Sequence, residues 1–407
     1  MTTEYPPLIY GGLGTAVGGL ATASVRSGMD VAVILIGHTS YVGHTKPVEL
    51  EPSRHERRVH VTRDNQPELY QLPWSNAIER TVELIQELRP DVLHVHAYWL
   101  LPVVIAVKEQ LGIPIVYTIH SLDRAEYEIG NCSRDVLLKS EIQKSIISMA
   151  DRVIVVSQSE KTLLTFYYPT VANRRVRIAG NGIDDCTIKY KNKITAKANQ
   201  ILYVGRFVDR KGIRDLFAAI PRVLERAPNT RFVLVGGQPF DSGKQMEQWW
   251  LHPELYRYRK HIKFTGWVSS SEVKAWYRSS DILVVPSWYE PFGMVILEGM
   301  QNGLAIVASN VGGPAEILKH GRTGLLFPPK DITALADTLL YLIGNPIIRR
   351  KIGDLAASEV REKWSWGNVI GKIESIYREC VPKKMIGFGN SVSNSTDKSD
   401  NAADKRA

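Results

Sequence analysis

The sequence predicts an α/β protein built from two doubly wound, Rossmann-like domains that face a cleft. Three observations carry this. Short apolar runs rich in Val and Ile alternate with helix-compatible stretches, the pattern of buried parallel strands and their crossover helices. That series breaks at a polar, Lys/Asn-rich stretch, Lys189–Gln200, and then begins again. At 407 residues the chain has room for two cores. The expected division is a first domain over residues 1–188, a linker over 189–200, a second domain over 201–363 and a closing helix over 364–381. Residues 382–407 lack periodicity, are rich in Ser, Asn, Asp and Lys, and read as a disordered tail.

In chain order, Gly11-Gly12-Leu13-Gly14 leads into a small-residue, helix-compatible stretch, Thr15–Ser27. A glycine loop entering a helix lets backbone amides approach an anion, although a plain tight turn has the same composition. The strand Val31–Ile36 follows without an acidic residue placed for a ribose, which argues against a dinucleotide fold. Residues 40–73 read as irregular, with Arg54-His55-Glu56-Arg57-Arg58 a solvated loop. A helix over Asn76–Leu88 precedes the strand Asp91–His96, with Tyr98 and Trp99 at its carboxyl end, where ligands of parallel sheets collect. The alternation continues through Pro102–Leu111, Ile115–Ile119, Leu137–Ala150, Val153–Val156 and Val176–Ile178. His120 closes the strand Ile115–Ile119 at the sheet edge, where a histidine is commonly a structural hydrogen-bonder. Asp123, Glu126 and Glu128 follow in an expected loop. This acidic rim would attract a cationic molecule, or would simply be solvated.

The second series comprises Ile201–Val204, Arg214–Arg226, Phe232–Val235, Ile262–Phe264, Ile282–Val285, Ala305–Ala308 and Leu325–Phe327. After its first strand come Arg206 and Lys211, able to meet a phosphate as a planar fork and a mobile point charge. Gln245–His261 reads as a helical excursion, its Trp249 and Trp250 either core or surface. The apolar run Ile282–Pro286 ends in Ser287-Trp288-Tyr289-Glu290-Pro291-Phe292, and a helix starts near Gly293. The amides of Gly293, Met294 and Val295 lack partners within that helix and lie at its positive pole, which suits a phosphate. Glu290 before the helix and Glu298 one turn beyond Met294 flank the site with acceptors fit for hydroxyls. Each Glu taken singly also fits a helix start or a solvated helix position. Trp364-Ser365-Trp366 opens the last helix.

Composition narrows the class. The chain is 44% hydrophobic and 23% charged, ordinary for a soluble protein. Its 3 cysteines include no CxxC, so neither a disulfide framework nor a zinc site is expected. No leader or membrane-length apolar run is evident, and a cytoplasmic location is expected. The +9 charge falls beyond residue 180 and reads as solvated surface plus a diphosphate site, not as a nucleic-acid face.

Glu290-x7-Glu298, the embedded Pro-Phe-Gly, Gly312-Gly313-Pro314-Ala315-Glu316, Gly205-Arg206…Lys211-Gly212 and the opening Glu4-x-Pro-Pro…Gly-Gly-Leu-Gly occur in the order found in family 4 of the retaining nucleotide-sugar glycosyltransferases. The chain resembles that family over roughly residues 1–380. The resemblance implies the GT-B fold and a last helix that crosses back onto the first domain. It implies that His120, Glu290, Arg206 and Lys211 are catalytic. Gly11, Gly12, Gly14, Val268, Phe292, Gly293, Met294, Val295 and Glu298 would join Arg206, Lys211 and Glu290 in holding the donor, with Glu298 on the ribose. Glu4, Tyr98 and Asp123 would lie on the acceptor side. No cofactor is implied beyond the nucleotide sugar as co-substrate, and no metal: Asp-x-Asp is absent from the sequence. The implied reaction moves a hexose or N-acetylhexosamine, UDP-activated GlcNAc or glucose first, to a small polar acceptor such as an aminocyclitol of antibiotic assembly. Polysaccharide elongation and a noncatalytic nucleotide-sugar-binding module are the alternatives. The family's opening motif follows a hydrophobic strand, whereas only Met1–Thr3 precede it here; the strand is short, or the natural start lies upstream, the option favoured on sequence.

Overall fold

The computed structural model describes residues 1–6, 9, 11–37, 57–59, 66–129, 134–171, 173–184, 200–237 and 241–381. The expected linker, save Gln200, the tail over 382–407 and Arg54-His55-Glu56 lie outside these residues. The first half runs α1 (Gly12–Arg26), β1 (Ala32–Ile36), β2 (Arg57–Val59), β3 (Glu68–Leu72), α2 (Ala77–Leu88), β4 (Leu93–Val95), α3 (Leu101–Leu111), β5 (Ile115–Ile119), α4 (Asp123–Ile129), α5 (Arg134–Met149), β6 (Arg152–Val155), α6 (Gln158–Tyr167) and β7 (Val176–Ile178). The second runs β8 (Gln200–Gly205), α7 (Ile213–Arg226), β9 (Arg231–Gly236), α8 (Gly243–Trp250), β10 (Ile262–Gly266), α9 (Ser270–Ser279), β11 (Ile282–Val285), α10 (Met294–Gln301), β12 (Ala305–Ser309), α11 (Gly312–Ile317) and β13 (Leu325–Phe327). Helices α12 (Ile332–Gly344), α13 (Pro346–Lys363) and α14 (Trp366–Cys380) complete it.

The second half carries a six-stranded parallel sheet in the order β10-β9-β8-β11-β12-β13. Its central strands are apolar throughout because helices cover both faces. In the first half β4-β5-β6-β7 form one parallel sheet and β1-β3-β2 another. Thr2 joins them: its N–H donates to Ile34 O, its carbonyl accepts from Ile36 N, and the carbonyl of Met1 accepts from His96 N. Met1 and Thr2 thus bridge the two sheets.

Three local expectations change. The helix opens at Gly12, so Gly12 and Gly14 sit in its first turn and only Gly11 precedes it. Both β2 and β3 lie inside the stretch 40–73 read as irregular; β3 pairs parallel with β1 and antiparallel with β2, and this long-range pairing, not periodicity, makes them strands. Asp123, Glu126 and Glu128 stand on the short helix α4 instead of a loop. Trp250 packs edge-on against Phe207 and beside Phe217, which places it with the second core; the Trp249 side chain lies outside the described residues.

Helix α14 belongs in sequence to the second half and packs on the first. Trp366, Val369, Ile370 and Ile373 share a cluster with Leu20, Ala23, Val116 and Ile154. A Cβ on Gly19 would stand 2.1 Å from the Trp366 indole nitrogen, so only glycine lets α1 and the indole approach this closely.

Candidate active site between the two domains

The second-domain wall grows from the end of β11. Gly293 adopts φ 99°, ψ 57°, a left-handed conformation open mainly to glycine, and caps α10 without a capping side chain. The first-turn amides, Met294 and Val295 among them, therefore lie without a capping side chain at the positive end of the helix, and the Met294 side chain meets the other domain. Gly12 of the other domain stands against them: a Cβ there would lie 3.5 Å from Met294 Cγ. The glycine motif and the start of α10 thus adjoin.

The loop after β8 is pressed onto the loop after β11. Gly212 is left-handed, and a Cβ there would lie 1.8 Å from Pro286 O, while Trp288 N–H donates to Arg210 O at 2.7 Å. That contact delivers Lys211 Nζ to Glu290 Oε2 at 2.5 Å, with Ser287 Oγ donating to the same oxygen at 3.1 Å. Burial opposes the charge on Glu290, but the adjacent Lys211 ammonium, then Arg210 and the Ser287 hydroxyl, outweigh it and hold the carboxyl below its ordinary range. Gly313 N–H donates to Glu290 O at 2.9 Å, and a Cβ on Gly313 would stand 1.9 Å from Phe292 O, so the Gly-Gly-Pro segment braces this loop from behind. Glu298 accepts from the Tyr277 hydroxyl at 2.6 Å; burial raises its carboxyl above the ordinary range. Arg206 is exposed at the cleft and feels Glu126 and Glu4 of the first domain. Phe292 is buried, and Val268 is half-buried beside the same cluster.

Across the cleft, the histidine expected at the end of β5 belongs to a stack of three. His120 Nε2 lies 3.1 Å from His96 Nδ1, and the His94 and His96 ring centroids are 4.0 Å apart. His94 is held by Thr118 at 2.7 Å and by Tyr377 of α14 at 2.6 Å. Burial keeps all three neutral, His120 down to about 4 and the other two well below the ordinary value. Asp123 is buried and raised to about 6, chiefly by burial, with the half-buried Tyr98 hydroxyl bonded to it. Glu4 is half-buried near the glycine motif. Two of the three rim acids are paired: Glu126 with Arg210 at 2.7 Å and Glu128 with Arg124 at 2.7 Å. Among the described residues no group of three His, Cys, Asp or Glu side chains could hold a metal ion, and no helix is long and apolar enough to cross a membrane.

Sequence reasoning passed over several residues here: Arg210, Ser287, Tyr289, Glu316, Tyr277 and His96. Arg210 and Tyr289 each precede a singled-out residue, and His96 closes its strand as His120 does; that adjacency was the available signal.

Residues 10–185 match the family model "Glycosyltransferase Family 4", and residues 184–358 match "Glycosyl transferases group 1". An uncharacterized glycosyltransferase of Methanocaldococcus jannaschii is 31% identical, over 95% of this chain and 98% of that protein. A glycogen synthase of Mycobacterium tuberculosis is 28% identical over 92% of each. Among solved structures, sucrose-phosphate synthase from Thermosynechococcus elongatus superposes with a TM-score of 0.72 at 24% identity, covering 91% of this chain and 93% of that one. With both halves matched in order and a two-domain cleft between them, the chain belongs to family 4 of the glycosyltransferases and has the GT-B fold.

Proposed function

We propose that the chain is a retaining, metal-independent hexosyltransferase that moves glucose or N-acetylglucosamine from a UDP-sugar to a hydroxyl of a small polar acceptor. Its catalytic unit is a first domain over 1–188 and a second over 201–363. The observation that carries this reading is the Lys211–Glu290 contact, where a cation and a carboxylate from separate motifs meet beside an uncapped helix start.

The hard step is departure of the nucleoside diphosphate. Arg206, Lys211, the amides of Gly293, Met294 and Val295 and the Gly11–Gly14 turn would stabilise the charge that develops on it. Glu290 would hold hexose hydroxyls, Glu298 the ribose, and Phe292 and Val268 the walls of the donor pocket. The anomeric C–O bond to phosphate breaks while the acceptor oxygen bonds to the same face. The acceptor proton passes to the leaving phosphate oxygen, so no protein nucleophile is required. Neutral His120 would bind the hexose and line the acceptor side with Glu4, Tyr98 and Asp123. The acceptor would be a small polar molecule with a free hydroxyl, a sugar or polyol or an aminocyclitol such as 2-deoxystreptamine; the pairing of Glu126 and Glu128 favours an uncharged one, and Asp123 is the acid left to meet an amine. The glycogen synthase relative supports a carbohydrate acceptor.

The test is a panel of UDP-glucose, UDP-GlcNAc and ADP-glucose scored by thermal stabilisation, then turnover with maltose, polyols and 2-deoxystreptamine. A ligand at a hundred times its Kd adds about 2.7 kcal/mol to stability. Stabilisation by no nucleotide sugar, or binding without turnover on any acceptor, refutes the reading.

A further inference from the structure

Three residues of the second domain reach into the first, and each stands beside a residue of the donor wall. Arg210, next to Lys211, pairs with Glu126 at 2.7 Å. Tyr289, next to Glu290, is 3% exposed and lies within the first domain's core, with Ile119, Leu122 and Ala125. Its hydroxyl accepts from Leu122 N–H at 2.9 Å and donates to Glu160 Oε2 at 3.0 Å. Glu316, which ends the Gly-Gly-Pro-Ala segment behind Glu290, accepts from Gln158 and Ser159 N–H at 2.9 and 2.7 Å, capping α6 from the other domain. Glu160 sits in that same first turn of α6.

Leu122 is two residues from His120. A hydroxyl that holds the Leu122 amide while its own backbone continues into Glu290 ties the His120–Asp123 segment to the donor wall by one rigid side chain. An aromatic ring has two side-chain torsions, and burial on all sides leaves it little freedom. Such a strut sets the relative position of groups that must act on one substrate from two domains, where a displacement of about 1 Å can cost about a hundredfold in rate.

We propose that Tyr289 is a positioning residue for glycosyl transfer: it registers His120 and the acceptor-side segment against the Lys211–Glu290 pair, with Arg210 and Glu316 holding the same seam at its flanks. The proposal rests on the glycosyltransfer reading above. Tyr289 itself touches neither sugar nor nucleotide, so donor affinity, set by the second-domain wall and the α1 glycines, does not depend on its hydroxyl.

The experiment compares wild type, Tyr289→Phe and Val107→Ala, the last a cavity in the first core away from the seam that serves as a control for lost stability. UDP-glucose Kd is measured by calorimetry, turnover as UDP release with maltose, and hydrogen exchange across residues 119–126. Tyr289→Phe is expected to lower kcat by about tenfold to a hundredfold, hold Kd within about twofold and lose protection at 119–126, because the Leu122 amide loses its acceptor. Val107→Ala is expected to lower Tm while keeping kcat. Unchanged exchange at 119–126 in Tyr289→Phe overturns the proposal, as does a loss confined to Kd or a kcat that tracks Tm equally in both variants. A wild type that binds no nucleotide sugar fails the functional reading instead, and the exchange measurement still decides whether the strut exists.

Discussion

The ammonium of Lys211 and the carboxylate of Glu290 stand 2.5 Å apart although 79 residues separate them in sequence. Both are largely withdrawn from solvent, so neither is well hydrated without the other. Lys211→Ala leaves a buried carboxylate with the Ser287 hydroxyl as its remaining close partner. The expected loss is about 3 kcal/mol, together with turnover. The Lys211→Ala/Glu290→Gln double variant removes the orphaned charge and should lose less than the sum of the single changes. Urea unfolding of the four proteins checks this.

Gly313→Ala tests the brace behind the donor loop. The new methyl would stand 1.9 Å from Phe292 O, a backbone atom that cannot rotate aside. The loop carrying Glu290 must shift, and donor affinity is expected to fall by about tenfold or more, which corresponds to about 1.4 kcal/mol. Gly344→Ala, at a helical position with open space for a methyl, is the control. It should gain about 0.4–1 kcal/mol. Calorimetric titration with UDP-glucose separates the two.

Trp366→Ala tests the anchor of the last helix. The indole is 6% exposed and wedged against Gly19 and Gly182. Its removal is expected to cost about 3–5 kcal/mol and to loosen α14 from α1. Limited proteolysis after Lys363 or Lys372 should then accelerate relative to wild type.

Stability should respond to pH through two opposed groups. Burial raises Glu160 from 4.5 to about 7, with Tyr289, Glu290 and Glu316 facing it. The folded state therefore holds its proton more tightly than the unfolded one. This stabilisation is complete below pH 4.5 and is lost as pH rises through 7, a difference of about 3 kcal/mol. Burial lowers His120 from 6.5 to about 4, so its contribution is present above pH 6.5 and lost as pH falls toward 4. His94 and His96 shift in the same direction. Both windows lie between about pH 4 and 7, so Glu160→Gln should remove a fall and make Tm rise more steeply with pH between 4.5 and 7. His96→Asn should remove part of the opposing rise and make the same stretch of the curve shallower.

Much of the wall proposed to hold the donor was legible as a strand-to-helix junction because its determinants are local. An apolar strand, a turn of Pro and aromatics and a glycine at a helix start dictate a junction with free amides within some fifteen residues, whatever surrounds it. The acceptor side was less so. Asp123, Glu126 and Glu128 have the composition of a charged loop, and only the arrival of Arg210 from the other domain shows that Glu126 is spent.

What the sequence determined by itself was the alternation of elements, the break between two α/β series and the residue types able to meet a diphosphate and its sugars, since each depends on periodicity and neighbours a few positions away. Which side chains join the two domains was decided by the tertiary structure. Tyr289 reads as one aromatic among several in its loop, and Glu316 as the end of the Gly-Gly-Pro-Ala-Glu motif with no role of its own. Tyr289 becomes a strut where the fold buries its ring and brings Leu122 and Glu160 to its hydroxyl, and Glu316 a helix cap where the start of α6 arrives from more than 100 residues away.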